Sequence, residues 1–250
     1  MQTRLLTTLA LLAMLAALPF ITANQAFADK DCPSCKAAAA ATAAKEAPKH
    51  NVAPEGWTAL FNGKDIDGWV VKSGFCPYEV KDGMITGTTA KGSGNTFLCT
   101  PNEYGDFELK FDTLLHDGGL NSGVQIRSQV VANPDNEYGG RIGGPQVEIA
   151  SNGNSGFIYG EASTRRWMTE NVKELKHKHF KVGEWNTYHV IAKGNTIVTK
   201  INGHEIATTV LPDDFQEKFA KGVIGLQVHS VRGDPNWKVS WRNIYIKELK

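Results

Sequence analysis

Apolar and polar residues alternate with a period of two along much of the chain, and the alternation is clearest in three segments. In residues 122–130 (SGVQIRSQV), Val124 and Ile126 alternate with Gln125 and Arg127. In residues 145–150 (PQVEIA), Val147 and Ile149 alternate with Gln146 and Glu148, and near the C-terminus Leu226 and Val228 alternate with Gln227 and His229. Successive side chains of a strand point to opposite faces, so each segment predicts a strand with one apolar face and one face of long hydrogen-bonding groups. A single strand of this kind is adequately explained by an antiparallel sheet that packs one face on the core and wets the other. Three together are harder to explain that way: Lys is absent from their polar faces, while Gln, Arg, Glu and His recur. The pattern predicts a shared polar binding surface.

The rest of the later chain reads as short strands broken by turn residues. Residues 78–80 and 84–86 flank Lys81-Asp82-Gly83, a hairpin signal. Residues 96–100 form a strand after the loop Gly92-Ser93-Gly94, and residues 107–115 (FELKFDTLL) form a half-buried strand whose charged side faces solvent. Residues 187–192, 196–201 and 205–209, joined at Gly194-Asn195 and Asn202-Gly203, make an antiparallel meander, and residues 222–230 and 239–249 add two more strands. So many short strands predict an all-β fold, a two-sheet antiparallel jelly-roll sandwich. Residues 133–144 form a loop containing Tyr138 and Arg141, long enough to suggest function. After GFIYG (residues 156–160), which carries Tyr159, comes Arg165-Arg166-Trp167, a cation beside a planar aromatic that suits a sugar ring as well as it suits a loop plug. The basic run 173–181, with His177 and His179 among lysines, is better read as a solvated segment than as a cation site.

Composition narrows the class. The 250 residues are 41% hydrophobic and 21% charged with a formal net charge of +1, an ordinary globular balance that gives no reason to expect nucleic acid as a partner. Arg4, the apolar run 5–18 and Ala26-Phe27-Ala28 read as a signal peptide over residues 1–28, which predicts a periplasmic or secreted protein. That run is shorter than the ~20 apolar residues of a membrane span, and no later segment reaches that length. Asp29, Lys30 and Asp31 stand before Cys32, where a lipoprotein signal would be small and apolar, so no lipid anchor is expected. Residues 29–53, with Cys32-Pro33-Ser34-Cys35 and an Ala-rich stretch, read as a linker, and residues 54–250 as one domain. Cys76 and Cys99 lie inside that domain and could pair only if their Cα atoms come within about 7 Å.

Several stretches resemble the 3-keto-disaccharide hydrolase family: GWTALFNGKD (56–65), YGDFEL (104–109), NSGV (121–124), QVEI (146–149), WNTY (185–188), GLQVH (225–229) and WRNI (241–244). Their order covers the whole domain. The resemblance implies a concanavalin A-like, LamG-like jelly roll in an exported protein acting on glycosides already oxidised at the sugar 3-position. It also implies a functional link to a sugar 3-oxidoreductase that makes the ketone.

Chemistry then suggests roles for the shared polar face. A ketone at C3 acidifies the C2 proton, and its removal lets the C1 substituent leave by elimination, with water adding back for net hydrolysis. Such a reaction needs a base, an enolate stabiliser and a proton donor. His229 suits the base, Arg127 the stabiliser, and Glu148 the donor if burial raises its pKa, or the orienter of His229 if it stays ionised. Gln125, Gln146 and Gln227 would hold hydroxyls, with Asn121, Tyr159, Arg166 and Trp167 as further substrate contacts. His229 and Glu148 alone are too few ligands to specify a metal, so no cofactor is expected. Direct hydrolysis needs paired carboxylates, and no second acid is evident on these faces. A non-catalytic carbohydrate-binding module is the alternative; it would not need Arg127, Glu148 and His229 to converge. The loops also lack the dense Asp and Asn spacing of a calcium-bearing adhesion domain.

Overall fold

The computed structural model describes residues 50–250; the expectations for the leader, the Cys32/Cys35 pair and the Ala-rich linker lie outside the described residues. Fourteen strands and one short helix make up the described part. One sheet has the order β12-β11-β10-β6-β14-β4-β3, with β1 (Thr58–Ala59) added against β14. Its members are β3 (Tyr78–Lys81), β4 (Met84–Thr88), β6 (Phe107–Leu115), β10 (Trp185–Lys193), β11 (Thr196–Ile201), β12 (His204–Val210) and β14 (Lys238–Glu248). The other sheet has the order β2-β5-β13-β7-β8-β9: β2 (Val70–Lys72), β5 (Thr96–Tyr104), β7 (Ser122–Ala132), β8 (Arg141–Ile149), β9 (Ile158–Glu161) and β13 (Gly222–Val228). Every pairing is antiparallel. The jelly-roll sandwich expected from the sequence is the fold observed.

Alternation explains the core. In β6 every second residue from Phe107 to Leu115 is buried, and the residues between face outward. Leu109, Phe111, Tyr188, Val190 and Trp241 from the larger sheet meet Leu98, Val124, Ile126, Val147 and Leu226 from the smaller one, as two packed sheets require. Phe111 and Tyr188 stack with centroids 4.8 Å apart. The turns Asp82-Gly83 and Asn202-Gly203 have positive φ at both positions, the backbone that a two-residue hairpin turn demands.

Several expectations need correction. The loop after β7 is shorter than predicted, because Arg141 already belongs to β8. The helix α1 (Asp213–Lys218), which buries Phe215, had no forewarning in the alternation. Cys76 and Cys99 are both free and buried: Cys76 lies in the main core, while Cys99 joins Phe97, Ile142 and Val223 in a second apolar cluster. Burial pushes the Cys99 thiol up to about 12, so it stays protonated and unreactive. Among the described residues no helix is long and apolar enough to cross a membrane.

Candidate active site

The polar faces of β7, β8 and β13 are not wetted. Gln125, Gln146, Glu148 and Gln227 are all buried, so this side of the smaller sheet is covered as well. Register aligns the groups. Gly123 faces Glu148 across β7 and β8, Gln125 faces Gln146, and Gln146 faces Tyr159 on β9. Glu161, two residues beyond Tyr159, points to the same side of β9. A Cβ on Gly123 would stand 2.5 Å from Gln146 Cδ. The missing side chain is what lets Gln146 lie over β7.

These groups open into a cleft of about 510 Å³, a volume suited to a small ligand. Asn121, Gln146, Glu148, Tyr159, Arg166, Trp167 and His229, seven of the residues expected from the sequence, line it. Asn95, Arg141, Asn152 and Glu161 line it too and were not assigned as site residues from the sequence. A smaller depression of about 360 Å³ between residues 168–175 and the β12 strand offers Glu170 as its only ionisable group.

Glu148 is 5% exposed. Asn121 Nδ2 donates to its Oε1, and Gln146 Nε2 donates to its Oε2 at 3.3 Å. Burial pushes this carboxyl up to about 7, against the pull of the two amide donors and with help from the nearby charge of Glu161. About half of it therefore carries a proton at neutral pH. Glu161 is held differently: Arg141 Nη2 donates to its Oε1 at 2.8 Å, and Asn95 Nδ2 approaches the same oxygen at 3.3 Å. The cleft thus holds two carboxyl groups, one half protonated and one paired with a guanidinium. The second had no counterpart in the sequence reading, which gave Glu161 no role.

His229 follows the last residue of β13. Its Nδ1 lies 2.7 Å from the Ser230 carbonyl oxygen. A carbonyl can only accept, so Nδ1 carries a proton, and Nε2 is the nitrogen left to face the cleft. Nε2 makes no hydrogen bond among the described residues. No hydrogen bond joins His229 to Glu148 either, so Glu148 is not its orienter.

Arg127 does not belong to this group. The register of β7 against both neighbours shifts between Gln125 and Ser128, and Arg127 sits in that bulge with φ of 49°. The bulge turns its side chain away from the cleft. Arg127 is fully buried and donates to Gly105 O, Gly194 O and Asp106 Oδ1 at 2.6–2.8 Å, tying the β5–β6 turn to the β10–β11 turn. Gln125 and Gln227 are fully buried and do not line the cleft. Arg166, by contrast, is exposed on the cleft wall and makes no side-chain hydrogen bond or ion pair among the described residues. Trp167 meets Tyr159 edge-on at 5.2 Å and 74°, forming an aromatic wall.

Among the described residues no three His, Cys, Asp or Glu side chains are grouped so as to hold a metal. The family model described as a 3-keto-alpha-glucoside-1,2-lyase-like domain matches residues 56–247. The chain belongs to this family. No curated protein matches the chain. Among solved structures it is similar to a candidate glycosyl hydrolase from Parabacteroides distasonis, at 22% identity and a TM-score of 0.56 over 81% of this chain and 100% of that one. It also resembles a galectin-like protein of unknown function from Bacillus subtilis, at 10% identity and a TM-score of 0.57 over 77% and 94% of the two chains. A third likeness is the carbohydrate-binding module CBM66 from Bacillus subtilis, at 13% identity and a TM-score of 0.51 over 72% and 96%. At these identities the solved structures bear on the fold; the family membership makes the lyase-like, carbohydrate-active domain the frame for this cleft.

Proposed function

We propose that this protein cleaves glycosides carrying a ketone at C3 of the sugar, by proton abstraction at C2 and departure of the C1 substituent. The observation that carries the reading is the pairing, in one cleft, of a histidine whose Nδ1 is held by a carbonyl, leaving Nε2 free of partners among the described residues, with a buried carboxyl group whose pKa is raised to about 7. His229 Nε2 takes the C2 proton. The electron pair moves through an enolate to break the C1–O bond, and Glu148 gives its proton to the departing oxygen. The products are an alcohol and a 2-hydroxy-3-keto-glycal; water adding at C1, with the proton returned to C2, completes net hydrolysis. Arg127 is replaced as enolate stabiliser by Arg166, a cation of the cleft that pairs with no other described side chain. Asn121, Gln146, Tyr159 and Trp167 bind the ring and its hydroxyls. Export by removal of residues 1–28, and a separate oxidoreductase that supplies the ketone, belong to the same proposal.

The second carboxylate favours one further reading. Glu148 and Glu161 together could act as acid and base in direct hydrolysis of an unoxidised glycoside. One experiment separates the two: purified protein incubated with a panel of 3-keto-glucosides and their unoxidised parents in deuterated buffer. The proposed route releases aglycone from the oxidised compounds alone and leaves deuterium at C2 of any hydrated product. Release from the parents at a comparable rate replaces it with the two-carboxylate reading, and binding without release from either set makes the domain a carbohydrate-binding module.

A further inference from the structure

β5 and β13 end their pairing at Thr96 with Val228, so Asn95 and His229 leave the ladder at the same point on adjacent strands. Asn95 uses both ends of its amide there. Its Oδ1 accepts from the Ser230 backbone N–H at 2.9 Å, and its Nδ2 lies 3.3 Å from Glu161 Oε1. A peptide N–H can only donate and a carboxylate only accept, so the two partners fix which way the amide points. Ser230, held by its N–H, offers its carbonyl to the proton on His229 Nδ1 at 2.7 Å. The next backbone tie along this segment comes only at Trp237, whose carbonyl accepts from Thr89 N–H at 2.9 Å.

We propose that Asn95 is a positioning residue: it clamps the Ser230 backbone so that His229 is kept in the Nδ1-protonated tautomer with Nε2 turned to the cleft, and it ties that clamp to Glu161. Removing the anchor lets the Ser230 carbonyl drift from the ring. The proton then distributes over both nitrogens, and only the fraction with a free Nε2 is competent as base. An even split between the nitrogens halves the competent fraction, and looser ring orientation adds to that, so a fall of roughly two- to tenfold is expected. The clamp itself stands independently of the proposed function; only the kinetic consequence rests on that reading.

The test uses the full chain with 15N-labelled histidine. In the unaltered protein the two His229 ring nitrogens should give widely separated shifts, one protonated and one not. Asn95→Ala should draw the two shifts together, lowering kcat for a 3-keto-glucoside by roughly two- to tenfold with KM held within about twofold. Asn95→Asp keeps an oxygen for the Ser230 N–H but sets a like charge against Glu161. It should preserve the separated shifts. If Asn95→Ala does not fold, Asn95→Ser, too short to span both partners, takes its place with the same expectation. Unchanged ring shifts on truncation, or the same collapse for the Asp variant, overturn the clamp. A wild-type protein that shows the tautomer effect but turns over no oxidised glycoside removes the proposed function and leaves the clamp standing.

Discussion

His229 and Glu148 line one cleft without a hydrogen bond between them. Each has partners of its own: the Ser230 carbonyl for the histidine, Asn121 and Gln146 for the carboxyl. Their surroundings are therefore separate, which is what the proposed division into acid and base requires.

The acid role has a signature in pH. Because burial raises Glu148 to about 7, its proton-bearing form is halved near that pH and falls about tenfold for each unit above it. With an aglycone whose alcohol is a poor leaving group, kcat should fall along that limb. Glu148→Gln should remove the limb and lower kcat by about 10²–10⁴-fold. An aglycone that departs as a stable phenolate needs no proton and should show neither effect. Rates for the two aglycones across pH 5–9 check all three expectations.

The same carboxyl should destabilise the fold at high pH. Its folded pKa lies above the unfolded value, so the native state binds more protons between about 4.5 and 7. Stability falls as pH rises through that window and stays lower above it. Glu148→Gln has no such penalty. Above pH 7 it should be more stable than the unaltered protein by on the order of 3 kcal/mol, and below about pH 4 the difference should vanish. Urea denaturation at pH 4 and pH 8 measures it. A residue whose removal stabilises the fold while abolishing turnover is one kept for its chemistry.

Arg127 should behave in the opposite way. Its fully buried guanidinium holds two backbone carbonyls and the partly exposed Asp106. Arg127→Met removes all three donations, which water reaching these partly exposed acceptors replaces only in part, and should cost about 1–3 kcal/mol of stability. Turnover per folded molecule should stay within about twofold at temperatures where the variant is folded. Chemical denaturation together with active-fraction kinetics tests both halves.

How far the alternation could be read is clear from this pair. Val147, Glu148 and Ile149 lie in an unbroken ladder, so counting by twos placed Glu148 correctly on the face away from the core. The count fails at Arg127, because one extra residue in β7 shifts the faces and a bulge has no fixed sequence mark. The polar face itself was legible, but not its burial, which depends on parts of the chain distant in sequence. Residues 158–161 were not read as a strand from the sequence; once β9 is seen, Glu161 follows from Tyr159 at i+2. Asn95 offered no periodic signal at all. Its place follows only from how β5 and β13 end together.

Arg166 is predicted to carry the charge stabilisation first expected of Arg127. The side chain is exposed and pairs with no other described side chain, so Arg166→Gln should leave stability within about 0.5 kcal/mol. If its cation meets the developing enolate, kcat should fall by about 10²-fold, the usual scale for losing one such donor. A rise in KM alone would instead make Arg166 a ground-state contact. Steady-state kinetics with a single 3-keto-glucoside decides between them.

Gly123 allows the tuning of Glu148 to be tested without touching either functional group. A methyl at this position would stand 2.5 Å from Gln146 Cδ and 2.8 Å from its Nε2, both in the movable part of a flexible side chain. Gly123→Ala should therefore displace the Gln146 amide rather than break the sheet. The displaced amide no longer donates to Glu148 Oε2. That donor favours the charged carboxylate, so its loss raises the pKa further above 7. The high-pH limb of kcat should then move to more alkaline pH, with the maximal rate retained to within about tenfold. A shift towards acid would mean that Gln146 opposes the carboxylate instead of supporting it, and the account of how this cleft sets its proton donor would have to be rebuilt.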